Sequence, residues 1–255
     1  MDKISKKPVV ITLSQQIIGD VYDMWIEDKD TALQAKAGQF ISLYCKSQNR
    51  LLPRPISICE VDKEQGRIRF VYRAFGKGTQ EIAGFKAGDI VEMMGPLGNG
   101  YTLEGKKAIL IGGGIGIPPM LELAKQLNCE KSIVLGYRDI TFLEDEFKEY
   151  GPTFIATEDG SKGVKGNVLD AIKENMIEGD IIFACGPTPM LRGIKAYAME
   201  HGIKAQLSLE ERMACGIGAC LACTCKSKEK DEHTHVNNKR ICKEGPVFYA
   251  EEVEI

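Results

Sequence analysis

Ala108-Ile109-Leu110-Ile111-Gly112-Gly113-Gly114-Ile115-Gly116-Ile117-Pro118-Pro119-Met120 is the stretch on which the fold turns. A short apolar run ends in a glycine-rich turn, and apolar residues at helical spacing follow from Pro118 to Leu127. Proline is tolerated in the first helical turn, where no intrahelical donor is lost. Free amides at such a helix start, with the helix dipole behind them, suit a pyrophosphate. The pattern is not the standard dinucleotide fingerprint, because Pro119 stands where the third glycine of G-x-G-x-x-G would fall. Glycine turns of this kind also occur simply to pack a strand on a helix.

Downstream, strands are predicted at 132–137, 153–157 and 181–185, with helical stretches around 143–150, 168–175 and 189–201. Alternating strand and helix implies a parallel sheet covered on both faces. A second turn, Ala184-Cys185-Gly186-Pro187-Thr188-Pro189-Met190, again leads from an apolar strand into a helix. Both turns fall at carboxyl ends of predicted parallel strands, where open α/β sheets bind ligands. Cys185 is then either a neighbour of a bound nicotinamide or a small buried hydrophobe.

Upstream the period is different. Candidate strands at 9–13, 21–26, 40–45, 56–60, 68–72 and 90–94 are separated by turn residues such as Gly38, Asn49, Gly66 and Gly88. Many short strands at this spacing indicate a small antiparallel barrel. Residues 95–100 read as a loop leading out of it. The whole is an α+β multidomain chain: a barrel over 1–102, an α/β domain over 103–205 and a small C-terminal domain over 206–255, opened by a strand at 204–209.

That last segment holds Cys215, Cys220 and Cys223, spaced C-x4-C-x2-C, and Cys242 further on. This is the plant-type [2Fe-2S] spacing, with three thiolates from one loop and a fourth from a distant return. Gly216 and Gly218 permit the loop to curl and leave amides free for cluster sulfurs. A four-cysteine zinc site is the alternative, although zinc sites more often use two separate C-x2-C knuckles. Cys225 fits neither set and reads as a spare thiol. The charged insert at 226–235 reads as a solvated loop.

Bulk properties narrow the function. The chain has 255 residues and a net charge of -3, which gives no electrostatic case for nucleic acid or anionic membrane. The start, MDKISKKPVVITLSQQ, lacks a secretory apolar core. The apolar stretch 108–120 is too short for a bilayer of about 30 Å. A cytoplasmic protein is expected. Nine cysteines, five of them between 215 and 242, without a secretory signal point to metal rather than disulfides.

Arg54-Pro55-Ile56-Ser57, the GGGIGIPP turn and the ACGPTPM turn together resemble the ferredoxin–NADP reductase superfamily. The run EERMACGIGACLAC…CKEGPVF narrows the resemblance to the electron-transfer subunits of the NAD-dependent, type B dihydroorotate dehydrogenases. The resemblance implies FAD, a [2Fe-2S] cluster and NAD as cofactors. It places Arg54 at the FAD pyrophosphate and Ser57 near flavin N5, with Pro55 and Ile56 completing the motif. Val71, Tyr72, Arg73, Gly78 and Thr79 match its other FAD stretches. Gly112, Gly113, Gly114, Gly116, Cys185, Gly186 and Pro187 match its nucleotide site. Cys215, Cys220, Cys223 and Cys242 match its cluster ligands, and Ser57 and Cys185 its positions nearest the reacting atoms.

Two departures stand out: Ile56 replaces the superfamily's usual tyrosine, and Arg138 stands where a positive charge could meet a 2′-phosphate. NAD rather than NADP therefore rests on the resemblance. Taken singly, Arg54 reads equally as a surface charge, and Tyr72 and Arg73 as ordinary strand residues.

The resemblance further implies an FMN-containing catalytic partner, a (β/α)8 barrel that oxidises dihydroorotate in pyrimidine (UMP) biosynthesis, in a heterotetramer of two of each chain. Such a barrel needs about 250 residues, so this chain has no room for one. Related reductase subunits serving a hydrogenase, a sulfide dehydrogenase or a ferredoxin-linked transhydrogenase share the same modules. A zinc-stabilised binding protein without redox activity is the reading from a different class.

Overall fold

The structure is a computed structural model that describes residues 5–230 and 235–255. The tip of the charged insert, residues 231–234, lies outside the described residues.

Seven strands build the first sheet: β1 (Lys7–Ile18), β2 (Val21–Glu27), β3 (Phe40–Tyr44), β4 (Arg54–Ser57), β5 (Glu60–Asp62), β6 (Arg67–Arg73) and β7 (Ile90–Leu97). Every pairing is antiparallel, in the order β4-β3-β7-β1-β2-β6-β5. The two edges are joined by consecutive residues. Ile58 N–H donates to Gln39 O at 3.0 Å on the β3 side, and Cys59 N–H to Arg69 O at 2.9 Å on the β6 side. The sheet therefore closes into a barrel whose interior holds Ile11, Met24, Ile41, Leu43, Ile68, Phe70, Tyr72 and Met93. Period-2 alternation accounts for this filling: in β6, Ile68, Phe70 and Tyr72 turn inward while Val71 joins the packing toward the second domain.

Two short helices interrupt the barrel, α1 (Lys29–Gln34) and α2 (Lys77–Ala83). Neither shows enough apolar periodicity to be read from sequence. The stretch 95–100 is a correction: β7 runs on through Pro96 to Leu97 instead of ending in a loop at Gly95.

The second sheet begins with β8 (Lys107–Gly113), whose side chains from Ala108 to Ile111 are all buried. Burial on both faces is why this strand reads as a continuous apolar run rather than an alternating one. The other members are β9 (Glu130–Tyr137), β10 (Thr153–Thr157), β11 (Val164–Lys165), β12 (Ile181–Cys185) and β13 (Lys204–Ser208). Helices α3 (Pro118–Gln126), α4 (Glu144–Phe147), α5 (Val168–Glu174) and α6 (Thr188–His201) connect them. Asn167 caps α5, accepting from Leu169 N–H at 2.8 Å, and Gly202 ends α6 at φ 64°.

The last segment adds β14 (Thr224–Ser227), β15 (Asn238–Arg240), β16 (Val247–Tyr249) and β17 (Val253–Glu254). Strands β15-β14-β17 form a small sheet of their own, whereas β16 pairs antiparallel with β13. The C-terminal segment thus supplies an edge strand to the nucleotide sheet. One apolar cluster runs through all three modules, joining Phe40, Met94 and Leu97 to Leu207, Cys223, Ile241, Cys242 and Phe248. Among the described residues no helix is long and apolar enough to cross a membrane.

Barrel and nucleotide domain are also clamped by charge. Arg69 is 8% exposed and reaches Asp23 at 2.9 and 3.1 Å within the barrel, and Glu146 of α4 at 2.5 and 3.2 Å across the interface. Beside it the buried Glu122 of α3 accepts from Val61 N–H at 2.8 Å. Burial raises the Glu122 carboxyl, and bonds from Gln126 and Val61 offset part of that rise. Breaking a buried pair leaves an uncompensated charge at a cost of about 3–5 kcal/mol. Arg69→Met should accordingly lower unfolding stability by about 3 kcal/mol, read as a fall in the urea midpoint. Glu146→Gln, at the more exposed end, should cost under about 1 kcal/mol.

Candidate redox site

The four predicted ligand cysteines converge. The Cys220 side chain acts on the Cys215 thiol and that of Cys223 on Cys242, and Cys242 N–H donates to Cys223 Sγ at 3.4 Å. Two neighbouring pairs suit two irons holding two thiolates each. The backbone is curled as the chemistry requires, with Gly216 at φ 70° and Gly218 at φ 82°. The freed amides point at sulfur: Gly218 N–H lies 3.1 Å from Cys242 Sγ, and Ala219 N–H 3.3 Å from Cys215 Sγ. Burial pushes the Cys215 thiol up, yet the amides of Ile217, Cys220 and Ala219, with the Cys220 side chain, outweigh it and hold the pKa at about 6. Burial and the neighbouring Cys223 drive Cys242 the other way, to about 12. Such a crowd of sulfurs is the donor set that a cationic cluster relieves.

The return strand is pinned to the loop by Arg240, whose guanidinium donates to Gly218 O at 2.9 Å and pairs with Glu244. Cys225 lies on β14, half-buried against the shared core and outside the two ligand pairs.

The FAD residues are set by β4 and the turn into α2. A cavity of about 490 Å³ is lined by Ser47, Asn49, Arg50, Arg54, Gly76, Lys77 and Gly78. Arg50 is neutralised by Glu81. Among the described residues Arg54 bonds only to the carbonyls of Leu52 and Pro53, which leaves its charge available to an anion. Gly78 lies flat beneath that guanidinium; a Cβ there would fall 2.0 Å from Arg54 Nε. A basic cradle without side chain beneath its arginine fits a diphosphate.

Other matched residues are placed differently. Thr79 uses its hydroxyl on Gly76, accepting from its N–H at 3.1 Å. Arg73 is exposed and pairs with Asp20 at 3.4 Å. Val71 and Tyr72 are buried, Val71 toward the nucleotide domain and Tyr72 inside the barrel, where its hydroxyl has no hydrogen-bond partner among the described residues. Pro55, Ile56 and Ser57 lie half-buried along β4, opposite Ser42, Ile41 and Phe40. Lys77 was not singled out in the sequence, although Gly76-Lys77-Gly78 ahead of a helix carries the signal.

The two glycine turns meet. The second sheet runs β11-β10-β9-β8-β12-β13-β16, so the connections reverse direction between β8 and β12. That is the switch point at which open α/β sheets take their ligand. Cys185 stands in register with Gly112. The turns are pressed together: a Cβ on Gly116 would fall 2.5 Å from Cys185 O, and one on Gly113 2.4 Å from Met190 Sδ. Burial raises the Cys185 thiol to about 12 despite a hydrogen bond from Ser208, so it presents a neutral thiol at pH 7. Arg138, just beyond β9, is exposed and 3.8 Å from Asp139.

Barrel, switch-point sheet and two-by-two thiolate loop together define a flavin- and nucleotide-binding iron–sulfur reductase. Residues 10–101 match the oxidoreductase FAD-binding domain, and residues 210–254 match the iron-sulfur cluster binding domain of dihydroorotate dehydrogenase B. The electron transfer subunit of dihydroorotate dehydrogenase B (NAD(+)) from Fusobacterium nucleatum subsp. nucleatum is 43% identical, over 94% of this chain and 95% of that one. Its counterpart from Bacillus cereus strain B4264 is 40% identical over 98% and 99%. A solved structure of an NADH-dependent reduced ferredoxin-NADP oxidoreductase superposes with a TM-score of 0.87 at 30% identity, covering 96% of this chain and 89% of that one. This chain belongs to the family of dihydroorotate dehydrogenase B (NAD(+)) electron transfer subunits.

Gly78→Ala should leave the fold intact, because the atoms it meets belong to a flexible side chain. It should displace Arg54 and weaken FAD binding at least tenfold, about 1.4 kcal/mol. Flavin titration of the flavin-free chain, beside its thermal unfolding, checks both statements.

Proposed function

We propose that this chain carries electrons from the FMN of a dihydroorotate-oxidising partner, by way of its [2Fe-2S] cluster and FAD, to NAD+ in de novo pyrimidine (UMP) biosynthesis. The observation that carries the reading is the meeting of the cluster loop and the flavin strand at β3. A Cβ on Gly216 of the cluster loop would touch Ser42 Oγ of β3 at 3.0 Å. Ser42 in turn pairs with Pro55 of the flavin strand β4. FAD supplies the exchange between hydride, a two-electron reagent, and single-electron transfer.

The chain's own residues bind and orient. Arg54 and Lys77 would hold the FAD diphosphate, and Ser57, at the far end of β4, would stand by the ring. Gly112 to Gly116, with Gly186 and Pro187, would receive the NAD pyrophosphate at the switch point. Cys185 would face the nicotinamide as a neutral thiol. The amide of Ala219 favours the ionised form of Cys215, and that of Gly218 offsets part of the rise at Cys242.

The partner would be the FMN-bearing catalytic subunit, in a heterotetramer of two chains of each kind, with both proteins in the cytoplasm. Cys220 is exposed, flanked by Ile217 at 47% and Leu221 at 57% exposure, and this face is the natural one to meet the partner. A reductase that serves ferredoxin shares the modules, as the 0.87 superposition shows. Identity of 43% against 30% favours the dihydroorotate reading.

Two outcomes follow. The purified chain alone should not oxidise dihydroorotate, and turnover without the partner would contradict the proposal. In the complex, Cys220→Ser should keep NADH-driven flavin bleaching within about twofold, while dihydroorotate-to-NAD+ turnover falls at least a hundredfold. Equal loss of both in a variant that still binds FAD would refute the order of centres.

A further inference from the structure

The peptide group between Gly218 and Ala219 has a partner at each end. Its N–H, on Ala219, points at Cys215 Sγ at 3.3 Å. Its carbonyl, on Gly218, accepts from Arg240 Nη1 at 2.9 Å. A guanidinium thus stands one peptide away from a ligand sulfur. Hydrogen bonds in series polarise one another, and a charged donor at one end strengthens the bond at the other. Glu244 limits that charge, its two oxygens accepting from Arg240 Nε at 3.1 and 3.0 Å and one of them from the Arg240 backbone N–H at 2.7 Å. The two side chains are 28% and 30% exposed, so solvent ions screen the pair only in part.

Holding the return strand in place does not require this arrangement. Ile241 N–H already donates to Cys223 O at 2.9 Å, and Asn99 of the barrel side bonds Lys243 O and Glu244 O. A second cation, Lys243, lies close by without the same contact. Its stem covers Gly218, where a Cβ would fall 2.7 Å from Lys243 Cδ.

We propose that Arg240 tunes the reduction potential of the cluster through the Gly218–Ala219 peptide, with Glu244 as the counter-charge that sets how far. The proposal rests on the reading of Cys215, Cys220, Cys223 and Cys242 as the cluster ligands. Reduction adds one negative charge to the cluster, and donors to its sulfurs favour the reduced form. Arg240 strengthens one such donor, so it raises the potential. Glu244 withdraws part of that effect, so it lowers the potential. Opposite signs from two residues of one ion pair separate tuning from simple support, because breaking a support from either side acts in one direction.

The test uses the full holo chain, titrated anaerobically with dithionite and redox mediators, with the electron paramagnetic resonance signal of the reduced centre as readout. Arg240→Met should shift the one-electron equilibrium at least threefold toward the oxidised cluster, a fall of about 28 mV. Glu244→Gln should shift it in the reverse direction, and Lys243→Met should move it less than half as far as Arg240→Met. An unchanged potential in an iron-loaded Arg240→Met chain overturns the proposal. So does a fall in Glu244→Gln, or a shift in Lys243→Met equal to that in Arg240→Met, which would make the effect one of general charge. Should Arg240→Met fail to hold iron, the sign in Glu244→Gln decides, a rise supporting the proposal and any other result refuting it. Loss of iron from both variants would make the pair a support only and also overturn it. A parent chain that takes up no iron would strike the ligand assignment itself, and the proposal would fall with it.

Discussion

Gly216 has no side chain, and the cluster loop rests on the barrel at that point. Ser42 Oγ, Leu97 Cδ1 and Met94 Cε would lie 3.0, 3.3 and 3.7 Å from a Cβ placed there. With φ at 70°, the position also demands a left-handed backbone that other residues adopt at a penalty. A single glycine thus lets the loop curl around its sulfurs and press against β3. Because β3 is hydrogen-bonded to the flavin strand, cluster and flavin motif share one strand as a neighbour.

The rest of the molecule keeps that seat rigid. The cluster segment is not a tethered appendage, since β16 completes the nucleotide sheet and Phe248 enters the common core. Asn99, just beyond the barrel's last strand, donates from its side chain to Lys243 O and Glu244 O at 3.2 and 3.0 Å. On the other flank Arg69 and Glu122 fix the nucleotide domain against the barrel. Three sites with different chemistry are therefore held in one frame, and small changes at their contacts reach more than one of them.

Much of this was legible in the sequence where the pattern is strictly local. The apolar runs at 153–157 and 181–185 are β10 and β12 residue for residue, because buried parallel strands leave continuous apolar runs bounded by turns. Cysteine spacing pointed to an iron–sulfur segment, and residues 210–254 match such a domain. Contacts between distant residues were not legible. Nothing local marks Glu122 as the partner of Val61 N–H. The antiparallel addition of β16 to β13 is likewise a long-range pairing with no local signature. Arg54 could be singled out only by resemblance, since Gly78, which lies flush beneath its guanidinium, is distant in sequence. Tyr72 shows the converse: a matched motif residue whose ring is turned into the barrel core, so that its side chain serves packing.

The central claim is that flavin and cluster lie in electronic contact within this one chain. Anaerobic titration of the full-length protein with NADH, followed by visible absorption and low-temperature electron paramagnetic resonance, addresses it directly. The account predicts flavin bleaching together with the signal of a reduced two-iron centre, without any partner present. A flavin that bleaches while an intact, dithionite-reducible cluster stays oxidised throughout would contradict it.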